Sequence, residues 1–205
     1  MTGGAGSLRP RIVLATHNPH KVEEFAHIVA ATRPDLDVVG YDGPEPVEDG
    51  VTFAENALIK ARAAAAHTGM PALADDSGIC VDVLGGAPGV FSAYWAGHRK
   101  DAGANLELLL DQLGDISHPR RSAQFHSTIA LVVPGGAEHV VEGIWPGKLA
   151  LEPAGVGGFG YDPIFIPDGQ DGAERTVAEW SAQEKNAASH RARAFDALAP
   201  LLRGL

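Results

Sequence analysis

Two adjacent carboxylates, Asp75 and Asp76, follow the apolar run at 70–74 and precede Ser77-Gly78. Carboxylate oxygens on rigid strand-end backbone suit a hard cation such as Mg²⁺, which takes one or two of them and fills its shell with substrate phosphates. An isolated Asp-Asp-Ser-Gly is more often a solvated turn, so its meaning depends on what accompanies it. Thr16-His17-Asn18-Pro19-His20-Lys21 stands between a strand-like run and a helical pattern. Free N–H groups and the helix dipole favour an anion there, and Lys21 adds a cation. The segment lacks the glycine framework of a Walker loop. Gly157-Gly158-Phe159-Gly160-Tyr161-Asp162 lets backbone approach a ligand closely, with Phe159 or Tyr161 able to lie flat on a nucleobase. It lacks the strand-turn-helix order of a dinucleotide fingerprint; for Tyr161 a place in the core is nearly as good a reading. Lys185, Ser189, His190 and Arg191 gather donors near the C-terminus, with Lys185 and Ser189 on one helix face. Carboxylates for a metal, cations for phosphates and an aromatic platform together point to a nucleotide.

The elements that must position these groups are legible from periodicity and caps. The run at 11–15 reads as a buried strand, and Val22, Phe25, Ala26 and Val29 mark a helix opened by Asn18-Pro19 and stopped by Pro34. A second strand is expected at 37–41. Thr52 and Glu55 form a capping box on an Ala-rich helix that ends near His67 before Gly69. Two strands, 70–74 and 79–84, are expected to flank a turn at Asp75-Asp76-Ser77-Gly78. Leu106, Leu109, Leu110 and Leu113 define a short helix, and 123–133 with 139–149 a hairpin through Pro134-Gly135-Gly136. After a strand at 163–167, one last helix is expected from Ser181, capped by Glu184, to Leu202. Alternating strands and helices followed by a hairpin predict an α/β protein with a mixed sheet.

Composition narrows the partners. With 205 residues, 45% of them hydrophobic, the chain suits a single domain at 11–205 preceded by a flexible N-terminus at 1–10. A formal charge of −10 opposes sequence-independent binding to nucleic acid or an anionic membrane. No stretch reaches the roughly 20 apolar residues of a spanning helix. Cys80 stands alone in an apolar run, as a small buried hydrophobe would, and fits a reducing cytoplasm.

The motifs, taken in order, make the chain resemble the Ham1-like, or inosine triphosphate pyrophosphatase-like, family nearly end to end. They are Thr16-x-Asn18-x-x-Lys21, Thr52-Phe53-x-Glu55-Asn56-Ala57, and Ala74-Asp75-Asp76-Ser77-Gly78 running into Gly85-Gly86-Ala87-Pro88-Gly89-Val90. Pro153-Ala154-Gly155-x-Gly157-Gly158-Phe159-Gly160-Tyr161-Asp162-Pro163 and Ser189-His190-Arg191 complete them. The resemblance implies a mixed-sheet α/β fold of two lobes with a cleft between. It implies Mg²⁺-dependent hydrolysis of non-canonical purine triphosphates (ITP, dITP, XTP) to monophosphate and pyrophosphate by a cytoplasmic homodimer. By the same resemblance Thr16, His17, Asn18, Pro19, His20 and Lys21 bind the triphosphate. Asp76 is the catalytic carboxylate and metal ligand, and Glu48 is the further acidic ligand expected in the loop before Thr52. Ser77, Phe159, Gly160, Tyr161, Asp162, Lys185, His190 and Arg191 bind substrate. His17 departs from the pattern, standing where many relatives have glycine. The alternatives are a Maf-like pyrophosphatase for pyrimidine or modified nucleotides and a catalytically silent nucleotide-binding module.

Overall fold

Apolar β-branched runs too short for a helix become central strands, and the first of them, Arg11–Leu14, forms β1 with Ile12, Val13 and Leu14 fully buried. The computed structural model describes residues 9–205; the expected flexible segment at 1–10 falls mainly outside them. Helix α1 (Pro19–Thr32) returns the chain to β2 (Asp37–Gly40), parallel to β1. Thr52 and Glu55 close the expected capping box on α2 (Phe53–Thr68), and Gly69 ends it in the left-handed conformation. There follow β3 (Ala72–Val81), α3 (Ala102–Gln112), and the hairpin of β4 (Ser122–Val132) and β5 (Glu138–Leu149). A short β6 (Phe165–Pro167) leads to α4 (Ala182–Ala188) and α5 (His190–Leu202). The six strands make one mixed sheet in the order β2-β1-β3-β4-β5-β6, with β1 parallel to both neighbours and all later pairs antiparallel.

Strand alternation divides the core between two faces. Ile12, Leu14, Leu73, Ile129 and Leu131 meet Phe25 and Val29 of α1 and Phe195 and Leu198 of α5. Val13, Ala72, Ala74, Ala130 and Val132 meet the alanine stripe Ala57, Ala61 and Ala64 of α2, whose small side chains permit a close helix–sheet approach. The far halves of the long strands carry a separate core, in which Ile79, Val81, Phe125 and Trp145 pack against Leu106 and Leu109 of α3 and against Phe165. This core forms the second lobe. Arg121 braces it, donating to the carbonyls of Leu113, Ile116 and Ala150 at 2.6, 2.8 and 2.9 Å.

Four elements differ from the sequence expectation; one is the strand expected at 79–84, which stops at Val81 and gives way to a 3₁₀ turn at Asp82–Leu84. Residues 75–78 do not turn: they continue β3, because β4 offers an uninterrupted ladder in which Asp75 faces Ile129, Asp76 faces Thr128 and Gly78 faces His126. Gly78 is required for closeness rather than for a bend, since a Cβ there would lie 2.5 Å from both the Gly89 carbonyl and Ser92 Oγ. The expected strand at 163–167 begins as a 3₁₀ turn at Asp162–Ile164 and is extended only from Phe165. The last helix breaks at Ser189, which sits in extended backbone and is at once the end of α4 and the N-cap of α5. Its side chain competes for the local N–H of Ala192, which is why a serine ends one helix and starts the next. Lys185 and Ser189 therefore do not share a helix face.

Helix α5 lies so close on β5 that a Cβ at Gly143 would overlap the His190 carbonyl and the Ala194 backbone. Gly143→Ala is expected to lift α5 from the sheet and cost about 1–3 kcal/mol, read as a lowered midpoint in equilibrium urea unfolding.

Candidate active site

The site begins where a strand stops. β1 ends at Leu14 and pairs with β3 only through Ala72 and Leu73, while β3 continues to Val81. Among the described residues, no strand pairs with the β1-side edge of β3 beyond Leu73. The Ile79 and Val81 N–H groups on that edge are taken by Ser92 Oγ at 2.9 Å and the Ala87 carbonyl at 3.0 Å; by alternation the Ser77 N–H faces the same opening. The segment Thr16 to Lys21, leaving β1 for α1, borders it. Thr16 Oγ1 accepts from the Asn18 N–H at 3.2 Å, Pro19 is the first residue of α1, and His20 and Lys21 fall in its first turn.

Because side chains alternate along β3, its two carboxylates point to opposite faces of the sheet. Asp75 lies on the α1/α5 face, buried, with both oxygens accepting from Lys21 Nζ at 2.9 Å. Burial pushes the Asp75 carboxyl up, but the charges of Lys21 and Arg191 outweigh it and hold the group below the usual carboxylate value. Asp76 lies on the α2 face, within 3.2 Å of Lys60 Nζ and 3.4 Å of Asn56 Nδ2. Burial raises its carboxyl, Lys60 offsets only part of the rise, and the Glu48 charge adds to it. Lys60 Nζ also lies 2.8 Å from Glu48 Oε2. Burial alone would lower the Lys60 ammonium, yet Asp76 and Glu48 hold it above its ordinary value.

These residues fit a magnesium ion. Among the described residues no three His, Cys, Asp or Glu side chains cluster as a metal cage, but Mg²⁺ rarely uses one when phosphates are present. Glu48 and Asp76 already converge on one positive charge, Lys60, as a cation site requires.

On the other face a cavity of about 330 Å³ opens between the lobes, lined by Ser77, Phe125, Phe159, Lys185, His190 and Arg191 among others. Phe159 is 64% exposed, with Lys185 Nζ 4.2 Å and the Arg191 guanidinium 5.5 Å from its ring centre. Asp162 fixes the loop beneath it, accepting from the Phe159 N–H at 2.7 Å and from Lys185. Gly160 lines the cavity wall. Tyr161 is no platform: it is buried, and its hydroxyl donates to the Ser92 carbonyl at 2.9 Å, tying the loop to the second lobe. His190 stacks on Phe125 at 4.9 Å. Burial, with the Arg191 and Lys185 charges, pushes its imidazole down to about 3. Among the described residues His190 Nδ1 and Arg191 Nε are both buried without a hydrogen-bond partner, and at a cavity wall such atoms are available to a ligand.

Sequence reasoning missed Lys60 and the role of Asn56. Both lie on α2 four residues apart, so they share one face. A lysine beside the stripe Ala57, Ala61, Ala64, which is otherwise committed to the core, was the available signal.

The model of the Ham1 family matches residues 12–201. A dITP/XTP pyrophosphatase from Leifsonia xyli is 63% identical, covering 95% of this chain and 96% of its own. A HAM1 protein from Coxiella burnetii is 40% identical, with a TM-score of 0.86, covering 96% of this chain and all of its own. A nucleoside-triphosphatase / dITP/XTP pyrophosphatase from Mycobacterium abscessus is 48% identical, with a TM-score of 0.79, over 93% of this chain and 99% of that one.

Two outcomes follow from the charges. Lys21→Met leaves the buried Asp75 carboxylate unpaired and is expected to cost about 2–3 kcal/mol; adding Asp75→Asn should recover part of that in urea unfolding. The depressed His190 favours the folded state above its ordinary value of 6.5, a contribution lost as pH falls from 6.5 towards about 3. Relative to His190→Phe, the native protein should lose up to about 1.4 kcal/mol per pH unit across that window, measured by urea unfolding at stepped pH.

Proposed function

The chain belongs to the Ham1 family, and from that premise we propose that it is a nucleoside triphosphate pyrophosphatase. It hydrolyses non-canonical purine nucleotides, dITP, ITP and XTP, to the monophosphate and pyrophosphate and so clears them from the nucleotide pool. One observation carries the reading: the open edge of β3 joins a phosphate-binding helix start and two carboxylates to a cavity with an exposed aromatic ring and orphaned polar atoms.

The triphosphate lies along Thr16 to Lys21, whose backbone and lysine meet phosphate oxygens. The base lies on Phe159, and Ser77 and Asp162 with Lys185 border the sugar and α-phosphate. Mg²⁺, held by Asp76 and Glu48, would neutralise phosphate charge and lower the pKa of the attacking water. Asp76, beside the metal and held by Lys60 and Asn56, orients the water. Lys60 and Lys185 offset charge as pyrophosphate leaves. Hypoxanthine and xanthine present a 6-keto acceptor where adenine presents an amino donor, so the buried donors of Arg191 and His190 are satisfied by the keto bases and left unpaired by adenine.

A cytoplasmic homodimer completes the proposal. A groove bounded by Val51, Phe53, Val90 and Val140 opens on the α2 face away from the proposed substrate, and Val51 and Val140 are exposed there. The single half-buried thiol, Cys80, pushed up to about 11 by burial, suits a reducing compartment.

Incubation with Mg²⁺ and ITP, dITP, XTP, GTP, ATP or UTP, followed by identification of the released ion, tests the reading. Pyrophosphate from the first three and little from ATP or UTP is expected. Asp76→Asn should lower turnover roughly 100-fold or more. Orthophosphate release, or equal kcat/KM for ATP and ITP, would overturn it.

A further inference from the structure

His17 lies in the segment from Thr16 to Lys21, where its backbone alone would serve a phosphate. Its side chain does something else. The ring turns onto Tyr41, parallel within 3° at 5.7 Å, and reaches the loop that follows β2. Nε2 lies 3.0 Å from the Gly43 carbonyl and Nδ1 lies 3.1 Å from Glu45 Oε1. The Gly43 carbonyl and the Glu45 carboxylate both accept, so the ring ties the loop at two neighbouring points.

The loop at 41–50 has no regular structure of its own. At its start the Tyr41 hydroxyl donates to the Pro44 carbonyl at 3.0 Å, and at its end the Gly50 N–H donates to Asn56 Oδ1 at 2.9 Å. Between these ties the loop carries Glu48 to within 2.8 Å of Lys60, the lysine shared with Asp76. A small cavity of about 40 Å³ marks the junction, bounded by Thr16, His17, Tyr41, Glu45, Glu48 and Lys60. His17 thus joins the phosphate segment to the acidic loop at Gly43 and Glu45, on either side of the Pro44 that Tyr41 holds and three to five residues before Glu48.

We infer that His17 is a positioning residue: it latches the 41–50 loop to the phosphate segment and thereby sets Glu48 beside Asp76 for magnesium. It touches neither the metal nor the reacting atoms. The inference deepens the proposed function and rests on its metal site, but one of its readouts needs no substrate.

Hydrogen–deuterium exchange on the nucleotide-free protein reads the latch directly. His17→Ala should speed amide exchange at 42–50 about 10-fold, because opening the loop no longer breaks the ties to Gly43 and Glu45, with β3 and β4 unaffected. Glu45→Ala should move the same segment less. His67→Ala, which removes the other ring packed on Tyr41 and its 3.9 Å contact with Asp42, is the control and should leave exchange at 43–50 and the Mg²⁺ dependence as they are. In pyrophosphate release at saturating nucleotide, the Mg²⁺ concentration for half-maximal rate should rise about 10-fold in His17→Ala. Unchanged exchange at 42–50, or an unchanged Mg²⁺ half-saturation, overturns the latch. An equal effect in His67→Ala also overturns it, reducing His17 to ring packing. If the native protein releases no pyrophosphate from any purine triphosphate, the functional reading fails while the exchange result still decides the latch.

Discussion

The antiparallel ladder between β3 and β4 is the constraint from which the site descends. Its register pairs every residue from Ala72↔Val132 to Val81↔Ala123, so the side chains of β3 have no choice but to alternate. Asp75 and Asp76 are neighbours in sequence yet belong to different faces, one to Lys21 of α1 and the other to Lys60 of α2. The early end of β1 then exposes the edge between them. A slip of one residue would exchange their partners and bury the wrong charge, which makes the apolar residues that hold the register, Leu73, Ile79, Ile129 and Leu131, indirect parts of the site.

Three lysines at the cleft each come with an acid: Lys21 with Asp75, Lys60 with Asp76 and Glu48, Lys185 with Asp162. In a chain of net charge −10 this is the condition for keeping lysines at a cleft at all. A buried ion pair adds little to stability, because desolvation consumes most of the Coulomb gain, but leaving one partner alone is costly. The arrangement therefore holds the ammonium groups in place without satisfying all their donors, and on the proposed reading a triphosphate supplies the remaining partners.

Much of this was legible in the sequence. Capping boxes at Thr52–Glu55 and Ser181–Glu184, the Pro19 helix start and the 123–149 hairpin all carry local physics strong enough to survive tertiary context. The failures share a cause. Asp75-Asp76-Ser77-Gly78 has turn composition, yet pairing with β4 and the need for a Cβ-free approach to Ser92 override local preference. The break at Ser189 was hidden because serine is tolerated inside a helix and only its capping of Ala192 identifies it as a boundary. Lys60 carries no motif: its role exists only because α2 lies across the face to which Asp76 points.

That division of faces also separates two demands that interfere when one surface must meet both. Catalysis on charged phosphates needs carboxylates, lysines and a metal close together, where each strengthens or shifts the others, as the raised Asp76 and Lys60 already illustrate. Base choice needs a drier pocket in which an unpaired donor is expensive; there Phe125 and burial keep His190 neutral. The sheet places the first demand largely on the α2 face and the second on the α5 face, with Ser77 and the segment from Thr16 to Lys21 at the edge between. On the proposed reading, substitutions around α5 change which base is accepted while leaving the Glu48, Lys60 and Asp76 group intact, because the sheet stands between the two groups.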